Sequence, residues 1–251
     1  MRQFRLLADE SILKRFPGYA ALVIYAEGFK NGPSDAVSDE YLHQAEELQR
    51  ASFRAIKPSA HPHIQAWRAV YSSFGLKPSR FPCSVEALLN RIVKGFDVPR
   101  INRLVDFYNA VSLRYVLPVG GEDWNKLASD LRLKESSGTE PFVSAADSED
   151  STTHPKRGEI IWADSAGVTC RAWNWRQCLR TRLTESTCDG YFILDRLEPF
   201  PMSELEEAGN KLMEILRHEA KTSNAWSEVI GGANLRSVGA LDKPEGIKSQ
   251  E

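Results

Sequence analysis

The first clear pattern in the chain is an apolar run from Leu22 to Glu27, preceded by Phe16-Pro17-Gly18 and broken by Asn31-Gly32-Pro33-Ser34, which predicts a short strand between turns. The period then becomes helical. Tyr41, Leu42, Ala45 and Leu48 recur at three and four residues, in a helix predicted from near Ser38 to about Ile56, ahead of Pro58. A second helix is predicted from about His61 to Phe74, burying Ile64, Trp67, Val70, Tyr71 and Phe74 and ended by Gly75. A third runs from Ser84, whose hydroxyl would cap the amides of Val85 to Ala87, to Gly95. A fourth spans about Ile101 to Val116. Residues 118–197 read as β-rich, with runs around Leu131–Leu133, Glu159–Trp162, Val168–Trp175 and Tyr191–Leu194, and Ser165 to Gly167 makes the second and third of these a hairpin. Pro201 opens a last amphipathic helix through Leu205, Ala208, Leu212, Ile215 and Leu216.

Two segments carry too few apolar residues to repay ordering: the loop 144–154 and the tail 231–251, the first read as disordered or lid-like and the second as disordered. The chain therefore reads as a single domain over 1–230. Its 251 residues, 42% of them hydrophobic, suffice for a substantial core. A formal charge of -2 excludes a protein that grips nucleic acid mainly through phosphates, so DNA is not an expected partner and any RNA contact must be local. No apolar run reaches 18 residues and the first ten residues have no signal-peptide pattern, so no membrane partner is expected and a cytoplasmic location follows by default. Cys83, Cys170, Cys178 and Cys188 have no Cys-x-x-Cys spacing and no clustered His, which predicts reduced thiols, no metal and no cofactor.

The densest chemistry lies in Cys170-Arg171-Ala172-Trp173-Asn174-Trp175-Arg176-Gln177. On a regular strand Arg171, Trp173, Trp175 and Gln177 would share one face, suited either to stacking on a base or to filling a core. On the fourth helix Asn102, Asp106 and Asn109 fall at i, i+4 and i+7, a polar stripe that can line a pocket or tie down loops. Pro118 to Asp123 follows as a turn whose acids, Glu122 among them, would face the same space. His61 and His63 have the ordinary pKa range for acid–base work, although solvation or capping at a helix start explains them as well. Trp67 and Tyr71 are assigned to the core.

These residues carry a resemblance. The run Ile101 to Asp123 resembles a segment of the phenylalanyl-tRNA synthetase β subunit, in its B3/B4 domain, that reads roughly V-N-x-x-V-D-x-T-N-Y-x-x-L-E-x-G-Q-P-x-H-A-F-D; Asn102, Val105, Asp106, Asn109, Leu113, Pro118 and Asp123 coincide with it. The stretch Arg171 to Gln177, with 61–94 ahead of it, is closer still to stand-alone B3/B4 proteins, and the likeness covers about residues 55–195. The resemblance implies an α+β fold of three layers, with a β-sandwich-type core and flanking helices. It also implies an editing site that hydrolyses mischarged aminoacyl-tRNA, bound by its 3' end. Two departures stand out: the pattern's His falls on Gly120 and its Thr on Tyr108. Asn109 carries over directly as a pocket residue, and Glu122, Asn174 and Gln177 are candidates for the missing hydrogen bonds.

The expected function is thus a trans-acting deacylase in which Asn109, Glu122, Asn174 and Gln177 position ester and water, with no covalent nucleophile. Asn102, Asp106, Arg171, Trp175 and Arg176 would bind substrate or RNA. The alternative is a non-catalytic module that binds RNA or an amino acid. A chain of this length has no room to add an adenylate-forming domain, so it is not expected to charge tRNA by itself.

Overall fold

The structure, a computed structural model, describes residues 4–144 and 151–232; most of the polar loop and the tail from 233 onward lie outside the described residues. Among the described residues six α-helices and nine strands form an α+β fold in which two sheets face each other and helices cover the second. In chain order the elements are β1 (Leu6–Ala8), α1 (Glu10–Arg15), β2 (Tyr19–Glu27), α2 (Ala36–Ser52), α3 (Pro62–Ser73), α4 (Ser84–Ile92), α5 (Arg103–Tyr115), β3 (Val119–Asp123), β4 (Leu131–Glu135), β5 (Ile160–Asp164), β6 (Gly167–Arg171), β7 (Arg176–Gln177), β8 (Gly190–Leu197), α6 (Met202–His218) and β9 (Asn224–Gly231).

The first sheet has strand order β1-β4-β5-β6-β7 and the second β3-β8-β2-β9. The apolar run of β2 lacks alternation because the strand is central and buried on both faces. Tyr19, Ala21, Val23 and Tyr25 point into the core between the sheets, beside Trp162, Trp173, Leu131 and Leu133. Ala20, Leu22, Ile24 and Ala26 point the other way, into a second core with Leu104, Phe107 and Val111 of α5 and Leu205, Ala208 and Leu212 of α6. The two-residue period of one strand thus generates two hydrophobic layers. Trp67 and Tyr71 of α3 are fully buried, as their spacing predicts.

Several boundaries differ from the sequence reading for local reasons. The helix predicted from Ser38 starts at Ala36, because Asp35 closes a capping box with Ser38. Ser84 is the first residue of α4 and caps nothing: Cys83 occupies the cap position and the Ser84 hydroxyl is buried without a hydrogen-bond partner. The fourth helix starts at Arg103, capped by Asn102, and ends at Val116 in the left-handed conformation (φ 51°), a place usually taken by glycine. The turn expected at Pro118 to Asp123 is strand β3, with Glu122 opposite Tyr191 of β8. Val168 to Trp175 is no continuous strand. The chain leaves β6 after Arg171, turns through Ala172 and Trp173 at φ 46° and 67°, and returns as β7 with Arg176 opposite Arg171. Strands β1 and β9 and helix α1 carry no strong periodicity of their own and were not anticipated.

Candidate functional site

A cavity of about 260 Å³ opens between the two sheets, against the start of α4 and the middle of α5. Register explains its floor. On β3 and β8 the side chains of Glu122, Tyr191, Ile193 and Asp195 project to the same face as Gly120, which has no side chain and leaves a gap between the two carboxyls. A Cβ built on Gly120 would stand 3.0 Å from Gln177 Nε2, so the amide of β7 occupies the room that a larger residue would take. The β6–β7 turn forms the opposite wall with Trp173, Asn174 and Trp175; Trp162 comes from β5, and Ser84 and Leu88 come from α4.

The turn holds its two positive-φ residues against their intrinsic preference through specific anchors. Trp173 N donates to Ile160 O at 2.7 Å and Ala172 N to Glu159 Oε1 at 3.2 Å. The Trp173 ring is fully buried, edge-on to Tyr19 with centroids 4.7 Å apart and to Trp67 at 5.5 Å. Trp173 is therefore architecture, whereas Trp175 is half-buried, lines the cavity, stacks edge-on to Phe81 and carries the exposed Arg176 guanidinium 4.6 Å from its centroid. The broken strand lets Trp175 and Arg176 meet, which the alternation of a regular strand forbids.

Two carboxyls dominate the electrostatics. Glu122 is buried; its Oε2 accepts from Thr181 Oγ1 at 2.9 Å and from the Tyr191 hydroxyl. Burial pushes its pKa up to about 7 against those stabilising hydrogen bonds. Asp195 Oδ1 accepts from the Tyr19 hydroxyl at 2.8 Å and its Oδ2 from Asn174 Nδ2 at 3.1 Å, while Asn174 Oδ1 accepts from the Tyr71 hydroxyl at 2.7 Å. Burial raises Asp195 to about 7 as well. The Cys170 thiol, also on the wall, is pushed well up by burial and by Glu122, so it stays protonated and is a poor nucleophile.

Of the residues singled out in the sequence, Asn109, Glu122, Asn174, Gln177, Trp175 and Arg176 meet around this cavity. The remaining candidates for binding substrate or RNA, Asn102, Asp106 and Arg171, do not line it. Asn102 spends its side chain on capping Val105 N, on Leu183 O and on Asn31. Asp106 receives Ser38 Oγ at 3.1 Å and Ile101 N at 3.1 Å, joining α2 to the start of α5. The polar stripe of α5 thus divides: its first two members tie down loops and only Asn109 faces the cavity. Arg171 is bound to the buried Glu159 through Nε at 2.9 Å and Nη2 at 2.8 Å. His63 is a core staple, with Nδ1–H donating to Val116 O at 3.0 Å and Nε2 accepting from Trp67 Nε1 at 3.1 Å and Leu197 N at 3.2 Å. Sequence reasoning missed Asp195, because it sits inside the apolar run Tyr191 to Leu197 as one polar residue next to Arg196. A single carboxyl within a strand buried throughout was the available signal.

The B3/4 domain family matches residues 66–203, more than half of the chain. The chain belongs to the B3/4 domain family. No curated protein matches its sequence. Among solved structures, an N-terminal fragment of the phenylalanyl-tRNA synthetase beta-subunit from Pyrococcus horikoshii is similar at 14% identity with a TM-score of 0.46, over 91% of this chain and 51% of that one. This B3/4 domain thus spans about half the length of that fragment. Among the described residues no helix is long and apolar enough to cross a membrane, and no cluster of His, Cys, Asp and Glu has the makings of a metal site.

Proposed function

We propose that this B3/4 domain hydrolyses mischarged aminoacyl-tRNA in trans, taking the aminoacyl ester into the cavity between its sheets. The observation that carries the reading is the convergence of Asn109, Asn174, Gln177, Glu122 and Asp195 on one largely apolar cavity with an aromatic, basic rim. An aminoacyl ester needs only a positioned water, a base and a donor to the developing oxyanion. Asn109 supplies the donor, and Glu122 or Asp195 supplies the base, each poised near neutral pH. The water oxygen bonds to the ester carbon as the bond to the ribose oxygen breaks, and the proton taken up by the carboxylate passes to the leaving hydroxyl. Trp175 and Arg176 at the rim stack on and neutralise the terminal nucleotide. Asn174 and Gln177 act one step back, since Asn174 is bound to Asp195 and Tyr71, and Gln177 Nε2 donates to Gly121 O at 3.0 Å.

That engagement of Asn174 and Gln177 within the protein is also what favours a second reading, a module that binds RNA or an amino acid without turnover. Incubation with a panel of aminoacyl-tRNAs, scored for release of amino acid, separates the two. The hydrolase reading expects release from at least one mischarged species and a slower rate for Asn109→Ala at unchanged melting temperature. Absence of release above buffer across the panel replaces it with the binding reading.

A further inference from the structure

Among the described residues Asp195 has no countercharge. Its partners, the Tyr19 hydroxyl and the Asn174 amide, are neutral, and among the described residues it enters no ion pair. Glu122 differs, because the Arg180 guanidinium already favours its charged form. A buried carboxylate without a cation is costly, and a matching cation recovers much of that cost. The two hydrogen bonds leave lone pairs free on both carboxylate oxygens. The cavity that Asp195 lines is also lined by Trp162, Trp173, Trp175 and Tyr191, and aromatic rings attract positive charge. A metal ion is poorly served here, since hard cations require several oxygen ligands. Glu122 stands opposite Tyr191 while Asp195 is four residues further along β8, a backbone offset of about 13 Å at 3.3 Å per residue, and no group of three or more His, Cys, Asp and Glu among the described residues could hold a metal ion. An ammonium group, with three donors and one charge, suits one carboxylate framed by aromatic rings.

We propose that the cavity is a receptor for a primary ammonium group, with Asp195 as its counter-ion and the tryptophan walls as its cage. The ligand class is an amine with an apolar body. In the hydrolase reading, on which only the identity of the amine rests, the group is the free α-amino group of the aminoacyl ester, so acylated amino groups are excluded. Asn174, Tyr19 and Tyr71 then act as positioning residues that aim the carboxylate.

The test compares phenethylamine with N-acetylphenethylamine by calorimetric titration at pH 8, on the unmodified full chain and on Asp195→Asn. In parallel, release is measured from aminoacyl-tRNA and from its N-acetylated form. The expected result is at least about tenfold tighter binding of the amine than of the acetamide, the worth of one charge-assisted hydrogen bond, and loss of that preference in Asp195→Asn. Equal binding of the two compounds, no binding of the amine, or an unchanged preference in a folded Asp195→Asn protein overturns the proposal. The comparison on the unmodified protein decides the matter if the variant does not fold. Release from blocked and free aminoacyl-tRNA alike leaves the hydrolase standing and removes the ammonium site; preferred amine binding without release from any aminoacyl-tRNA does the reverse.

Discussion

Replacing the buried carboxyls by their amides tests the electrostatic core of the site without any knowledge of the substrate. The folded protein holds the Asp195 proton up to about pH 7, whereas an unfolded chain releases it near 3.8. A group whose pKa is raised by folding contributes stability that is complete at low pH and is lost as pH rises to the folded value. For Asp195 the rise from 3.8 to about 7, at 1.36 kcal/mol per pH unit, corresponds to about 4 kcal/mol lost between pH 4 and 7. For Glu122, from 4.5 to about 7, the loss is about 3 kcal/mol over nearly the same window. His63 runs the other way: burial lowers it from 6.5 to about 4, so it adds about 3 kcal/mol as pH rises through that interval. Denaturant unfolding of the wild type, Asp195→Asn and Glu122→Gln at half-unit steps from pH 5 to 8 reads these terms directly. The difference between wild type and Asp195→Asn should move steadily in the variant's favour up to about pH 7 and then level. Parallel stability curves across that range would refute the assignment of a buried, uncompensated carboxyl.

The tryptophans of the β6–β7 turn should separate by role. Trp173→Ala, which empties a fully buried site, should cost about 3 to 5 kcal/mol in unfolding free energy. Trp175→Ala should stay folded and weaken RNA binding by roughly 1 to 3 kcal/mol with little change in salt slope, while Arg176→Ala should flatten that slope by about one contact; a titration over several salt concentrations checks both. Gly120→Ala should displace the Gln177 amide from Gly121 O, lowering ligand affinity for a stability change of about 1 kcal/mol, and equal losses of both in melting and binding measurements would mean the glycine serves packing alone.

What the sequence disclosed followed from how strongly each signal depended on its own neighbours. The helical spacing of Ile64, Trp67 and Tyr71 is local, and α3 appears where it predicts. The same holds for the hairpin of β5 and β6, set by the turn between them. Alternation failed at Ala172 and Trp173, since nothing in their identity announces a left-handed backbone that tertiary burial imposes. The candidate site was half legible. Asn109, Glu122, Trp175 and Arg176 stood out by residue type, but Asp195 becomes conspicuous only when β2 brings Tyr19 against it, 176 positions away in the chain. Asn102 and Asp106 share a face with Asn109 on a helix wheel, yet the neighbouring loops, at Leu183 and Ile101, reach the first turn and not the second.

The central place of β2 in the second sheet sets how small a working fragment of this protein can be. Residues 66–203, the span the family shares, contain β3 and β8 but neither β2 nor β9. A polypeptide trimmed to that span would turn the fully buried β8 into an open edge, with eight residues of unpaired backbone and an apolar face on either side, the arrangement that seeds intermolecular strand pairing. It would also lose Tyr19, leaving Asp195 with only Asn174. The sheet that floors the cavity is closed by strands from both ends of the described chain. During synthesis β8 therefore meets a β2 and a β3 that are already made, whereas β2 keeps its other edge open until the segment 224–231 emerges as β9 and seals it.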